Sequence, residues 1–153
     1  MYQELIAELS QGNSFVHPQP PCPAHEMNRA EKAVGYPFPK ELRDLLRELN
    51  GDHWLLLSAD EIIKNVESNR AYYLPFFEMD LSREVYTERV DRFIFFATNG
   101  CGDYYGYRVA PDGVPDETAI YIWEHEEIGE TCCWRKVAAN MTEFITRYYQ
   151  NEI

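Results

Sequence analysis

Basic residues are scarce in this chain: 14 Lys and Arg stand against 26 Asp and Glu, for a net charge of −12 over 153 residues. A field of that sign repels phosphate, so neither nucleic acid nor an anionic lipid surface is expected as a partner. A basic partner fits it, and so does plain solubility. No charged n-region followed by an apolar stretch opens the sequence, so no secretory leader is expected. Nor does any apolar run approach the ~20 residues of a membrane span. The four cysteines, Cys22, Cys101, Cys132 and Cys133, match no disulfide scaffold, which together with the missing leader points to a reducing cytoplasm. There is no internal repeat. A hydrophobic fraction of 45% is ordinary for a globular protein, which excludes disorder as the class, and the length suits one domain.

The most legible stretch is Phe93 to Val109. Phe93–Phe96 is short and rich in strand formers, which predicts a strand buried on both faces. Asn99-Gly100-Cys101-Gly102 reads as a turn, because Asn and Gly take positive φ at little steric cost. Tyr105, Tyr107 and Val109 then project to one side of a second strand, with Tyr104, Gly106 and Arg108 on the other. The whole is expected to be a hairpin through the middle of a sheet.

Before it, Tyr2–Leu9 has a short helical stripe of Leu5, Ile6 and Leu9. The prolines at 18, 20, 21 and 23 forbid helix and favour an extended connector, so residues 1–23 are set apart from a domain over 24–153. Ala24–Val34 is helical, with Met27, Ala30 and Val34 on one face and Gly35 to end it. Pro39 suits a first helical turn ahead of Leu42, Leu45, Leu46 and Leu49, and Asn50-Gly51 closes that helix. His53–Leu57 is a strand candidate. Ser58 and Glu61 form a capping box for a helix expected to fade before Pro75. Residues 75–89 show no sustained period. Ala119–Trp123 alternates as a strand, Glu124–Glu127 is a polar bend, and Cys132–Ala138 is a weaker strand candidate. Asn140 and Glu143 cap a final helix carrying Met141, Phe144, Ile145 and Tyr148. This order predicts an α+β fold in one domain, with a central antiparallel sheet, helices on the N-terminal side and a closing C-terminal helix.

Several of these pieces also stand in a familiar order. Glu31-Lys-Ala-Val-Gly35, then Phe38-Pro39, then a leucine-rich helix ending Leu49-Asn50-Gly51 resembles the opening of SUKH-superfamily domains of the Smi/Knr branch. Phe93–Ala97, Gly100-Cys-Gly-Asp103 and Tyr105 resemble the central strand, glycine turn, acidic residue and aromatic of that family. Ile122–Glu126 and Ala138–Ile145 are similar to its later strand and closing helix. Phe38 stands where leucine is usual and Cys101 where a small residue is commoner, while residues 67–92 match no part of the pattern. The resemblance implies a curved sheet with flanking helices. It further implies a binding protein, either an immunity protein that captures a toxin such as a nuclease, or a regulatory scaffold like the yeast cell-wall regulator. It carries no catalytic set and no cofactor.

The residues themselves offer few chemical sites. Asp103 either faces a partner's cation or accepts hydrogen bonds from the amides of its own turn, and the two roles are compatible. Glu124, Glu126 and Glu127, beside Trp123 and with Glu130 just beyond, form the densest acidic patch next to an aromatic. That combination suits a basic protein surface, with Tyr104 on the neighbouring strand. The alternative is a solvated bend whose Trp123 packs inward. Cys22-Pro-Ala-His25, His125 with its glutamates, and Cys132-Cys133 lack the second pair that zinc spacing needs, so no metal is expected. A strand rather than a helix follows the glycine turn and no lysine is near, so it is a poor phosphate cradle. Cys101 as a nucleophile, and an Asp103–Glu124 or Asp103–Glu126 acid–base pair in a small hydrolase, lack supporting signatures. The expected site is therefore a partner-binding one: Asp103, Tyr104, Trp123, Glu124, Glu126 and Glu127.

Overall fold

A computed structural model describes residues 1–79, 89–127 and 133–153, with residues 76–79 as backbone only. Among the described residues five α-helices flank one four-stranded sheet: α1 (Tyr2–Leu9), α2 (Ala24–Val34), α3 (Lys40–Glu48), α4 (Ala59–Met79) and α5 (Met141–Tyr149). The strands β1 (Phe93–Thr98), β2 (Tyr104–Arg108), β3 (Ile120–Trp123) and β4 (Trp134–Ala138) pair antiparallel in that spatial order. The fold is α+β. Among the described residues no helix is long and apolar enough to cross a membrane.

Local chemistry sets most helix ends. Ser58 Oγ accepts from the Glu61 amide while Glu61 Oε2 accepts from the Ser58 amide, closing the capping box that opens α4. Asn140 Oδ1 accepts from the Glu143 amide at the start of α5, and Glu143 reaches back to the amide of Ala139. Gly35 ends α2 at φ +90. Arg70, from α4, donates to the carbonyls of Ala33 and Val34 at that same end. Pro39 precedes the first residue of α3 rather than occupying it, a one-position difference from the sequence expectation.

Three expectations fail for tertiary reasons. Helix α4 does not fade before Pro75 but runs through it to Met79. A proline costs the helix a hydrogen bond, but Tyr73 and Leu74 pack on the aromatic cluster of the sheet, which holds the turn in place. The span His53–Leu57 makes no strand of its own, only a bridge between Leu56 and Ala97. The buried carboxylate of Asp52 accepts from the amides of Trp54, Leu55 and Leu56 and curls the segment inward. What remains extended covers the outer edge of β1, with Leu57 donating to the Phe96 carbonyl and Thr98 to that of Leu55. The β1–β2 hairpin thus forms one side of the sheet, not its middle. The weaker strand candidate begins at Trp134, while Cys132 and Glu130 lie outside the described residues.

The proline-rich stretch is stitched to the body. His17 and Gln19 donate to the carbonyls of Asp52 and Gly51, Cys22 donates to that of Leu46, and the Pro20 carbonyl accepts from Asn50. The prolines alternate with the residues whose amides are needed, so none of the missing donors is missed. One sheet face, with Ile94, Phe96, Tyr105, Tyr107, Ile120, Ile122 and Val137, meets α1, α3 and α5 in the main core. The other carries Phe93, Phe95 and Trp123 under Tyr73 and Leu74. Toward β4 on this side the Arg108 guanidinium lies 3.6 Å above the Trp134 ring.

That core sets an alkaline limit. Burial, aided by Glu41, Asp44 and Glu48, pushes the Tyr2 phenol up to about 12. Burial raises Tyr107, Tyr148 and Tyr149 as well, with Glu41 adding to the first and Asp52 to the other two. The unfolded chain releases these protons near pH 10 and the native one holds them, so stability is complete below about pH 10 and is lost as pH rises beyond it. The urea midpoint is expected to be level up to that pH and to fall above it, with Tyr2, Tyr107, Tyr148 and Tyr149 ionising only as the chain unfolds. Ionisation of these four phenols in the native protein near pH 10 would contradict their burial.

Candidate functional site

The loops at one end of the sheet come together because β1 ends, β2 begins, β3 ends and β4 begins there. The β1–β2 turn is held by Asn99, whose Oδ1 accepts from the amides of Cys101 and Asp103. Within its own turn the side chain of Asp103 bonds the Asn99 side chain rather than the backbone amides. Its Oδ2 accepts from Asn99 Nδ2, and its Oδ1 accepts from the His125 amide and lies 2.7 Å from His125 Nδ1. The carboxylate therefore locks the hairpin tip to the bend that follows β3.

Gly102 makes this close approach possible. It sits at φ +100, and a Cβ there would fall 2.7 Å from the His125 ring. Beyond it, His125–Glu127 is a single turn of 3-10 helix. Its entry is fixed by the Glu124 amide donating to the Cys133 carbonyl at 2.6 Å. Glu124 is half-buried, with Arg135 Nε 3.6 Å from its Oε1, while Glu126 is exposed and Glu127 intermediate. The arrangement is a braced loop with Glu126 exposed and Glu124 and Glu127 partly buried.

The two aromatic candidates are internal supports. Trp123 is fully buried, its ring 5.0 Å from that of Tyr73. It forms the floor under the acidic bend and offers no face to a partner. Tyr104 is half-buried, its ring tilted against that of Phe95 at 5.2 Å, and donates its hydroxyl to Asn65 Oδ1 on α4. Burial first, then the charge of Asp103, raises the Tyr105 phenol on the core side of the same strand. The sequence placed Asn99 in the turn but signalled no bonding role for its side chain, for Asn65 or for His125 as a brace.

Asp103 is occupied by its three donors, and among the described residues no group of three His, Cys, Asp or Glu side chains converges to hold a metal ion. Exposed carboxylates on a rigid bend attract cations and steer their approach.

A sequence model of the SMI1/KNR4 family (SUKH-1) matches residues 21–147. The chain belongs to the SMI1/KNR4 family. The match takes in α2, α3, α4, the whole sheet and most of α5, so the braced end lies within the SUKH-1 region. Helix α1 precedes that region, yet its Tyr2 and Ile6 are buried in the common core. No curated protein matches the chain at a significant level.

Proposed function

We propose that this SUKH-1 protein is a non-enzymatic immunity protein that captures and neutralises a cognate basic protein toxin, a nuclease being one such class, in the cytoplasm. The observation that carries the proposal is the acidic bend of Glu124, Glu126 and Glu127, held out from the sheet by the Asp103–His125 brace. A preformed anionic surface on a chain of net charge −12 speeds encounter with a cationic protein and rejects acidic ones. The acidic bend and the turn of Asp103 are the contact region in this reading, with Trp123 and Tyr104 bracing it from beneath. A regulatory scaffold of the Smi/Knr type is the second reading, favoured by the family match itself. It differs by binding housekeeping proteins rather than a toxin.

Co-expression with the toxin encoded next to its gene is expected to keep cells alive. Full killing despite a soluble, folded product would overturn the proposal. The variant carrying Glu124→Lys, Glu126→Lys and Glu127→Lys is expected to bind that toxin at least about tenfold more weakly at low salt, a loss of about 1.4 kcal/mol. The difference should shrink as ionic strength rises, since exposed charges are screened beyond ~10 Å at 0.1 M salt. Equal affinities at low salt would remove the bend from the contact.

A further inference from the structure

Asn-Gly occurs twice in the chain, at Asn50-Gly51 and at Asn99-Gly100. This dipeptide is the one most open to spontaneous deamidation, because glycine has no side chain to hold its amide nitrogen away from the preceding Asn Cγ. The fold treats the two copies differently. Asn50 is pinned from two sides, with Nδ2 donating to Glu26 on α2 and Oδ1 accepting from the Ala59 amide at the start of α4. Gly51 is buried, and a Cβ on it would stand 2.7 Å from the Ser58 nitrogen and 2.9 Å from the Leu56 carbonyl oxygen. Ring closure there requires α2, α4 and the Asp52 loop to part.

Asn99-Gly100 stands at the tip of the β1–β2 hairpin. Gly100 is exposed, and a Cβ on it would come no closer than 3.6 Å to its nearest neighbour, a Leu55 methyl group. The partners of the Asn99 side chain belong to the same turn: Oδ1 accepts from the Cys101 and Asp103 amides, and Nδ2 donates to Asp103 Oδ2. The Gly100 amide donates to Thr98 Oγ1, also local. Movement confined to the turn therefore brings the Gly100 nitrogen onto Asn99 Cγ, and exposed turns open far more readily than packed elements. Oδ1 gathers negative charge as the ring closes. It already has two amide donors, the arrangement that stabilises an oxyanion.

We propose that Asn99 is a deamidation site, and that its conversion unlocks the hairpin from the acidic bend. The Gly100 nitrogen gives its proton to solvent and bonds to Asn99 Cγ, and Nδ2 leaves as ammonia, closing a succinimide ring. Water then adds to either ring carbonyl, and the ring opens to aspartate or to isoaspartate. One water is consumed and one ammonia released, with nothing oxidised or reduced. The product carries a carboxylate where Nδ2 had donated to Asp103 at 3.0 Å, so two like charges face each other at the lock. Isoaspartate also lengthens the backbone by a methylene, which draws the turn amides off Oδ1. Asp103, displaced from its seat, releases the His125 amide and ring, and the bend loses its brace. Neither step depends on what the bend binds.

The test ages the full chain at mildly alkaline pH, once folded and once in urea, and reads each asparagine in the digest by tandem mass spectrometry. In the folded sample Asn99 is expected to exchange NH2 for OH at least about tenfold faster than Asn50, with isoaspartate among the products. In urea the two rates should converge, since the same dipeptide is then free in both places. Native Asn99 converting no faster than Asn50 would overturn the site. An equal gap in urea would overturn it too, by placing the difference outside the fold. For the second step, the aged protein is separated by charge and its His125 amide followed by hydrogen exchange, beside the variant Asn99→Asp. Exchange at least about tenfold faster than in the unconverted fraction is expected from both. If Asn99→Asp does not fold, the aged fraction alone decides. Unchanged exchange at His125 would overturn the unlocking.

Discussion

Asp52→Ala is expected to lower the free energy of unfolding by about 4 kcal/mol, a large part of the stability of an ordinary domain. The side chain is fully buried and its two oxygens accept four hydrogen bonds. Three come from consecutive backbone amides and the fourth from the Tyr149 hydroxyl, 97 residues away in sequence. Alanine would leave these donors buried without acceptors, each costing about 1–3 kcal/mol before relaxation. The neighbouring backbone amplifies the loss. Gly51 at φ +81 and His53 at φ +56 are both left-handed, a geometry that ordinary side chains disfavour and that the Asp52 bonds hold in place. Asp52→Asn keeps one carbonyl oxygen for the three amides, and its NH2 can donate to the Tyr149 oxygen. Its cost should be about half as large. Urea midpoints for the three proteins check the order. A loss below about 1 kcal/mol for Asp52→Ala would mean that the loop is held by something else.

Asp52 also marks where the sequence stops being readable. A buried carboxylate next to an Asn-Gly pair looks like any turn residue until the partner Tyr149 is known to fold over it. Elements decided by near neighbours were legible: the Ser58–Glu61 box, the leucine ladder of α3, Asn140 at the start of α5, and the glycine turn after β1. Elements decided by distant packing were not. Pro75 reads as a helix end, yet Tyr73 and Leu74 find the Phe95–Trp123 cluster and α4 continues. The candidate site divides along the same line. The acidic bend could be placed from its composition, because contiguous carboxylates after a strand rarely enter a core. Trp123 could not be placed, because Ile120, Tyr121, Ile122 and Trp123 are apolar on both faces of β3 and alternation is silent there. The exposed aromatics Phe15 and Trp54 come from loops far apart in the chain, where no local pattern groups them.

The second large effect is expected from Gly106→Ala, which should destabilise the protein by about 3 kcal/mol. A Cβ built at Gly106 would stand 2.2 Å from the Ile94 carbonyl oxygen and 2.9 Å from the Phe95 Cα, and both are backbone atoms that no rotamer change can move. The closeness follows from the irregular register between Phe95 and Ala97, which leans β1 over the middle of β2. To admit a methyl group the two strands must separate. That would loosen the Phe93, Phe95, Tyr104 and Trp123 stack on one face and the Phe96–Tyr107 contact on the other. Gly113→Ala is the proper control: its φ is +84 but nothing lies within 4 Å of a Cβ there, so it carries only the backbone penalty of about 1–2 kcal/mol. Because the stack floors the acidic bend, Gly106→Ala should weaken toxin capture together with stability, whereas the charge-reversed bend should weaken capture alone. Comparable melting temperatures for Gly106→Ala and wild type would show that the strands are not so closely apposed.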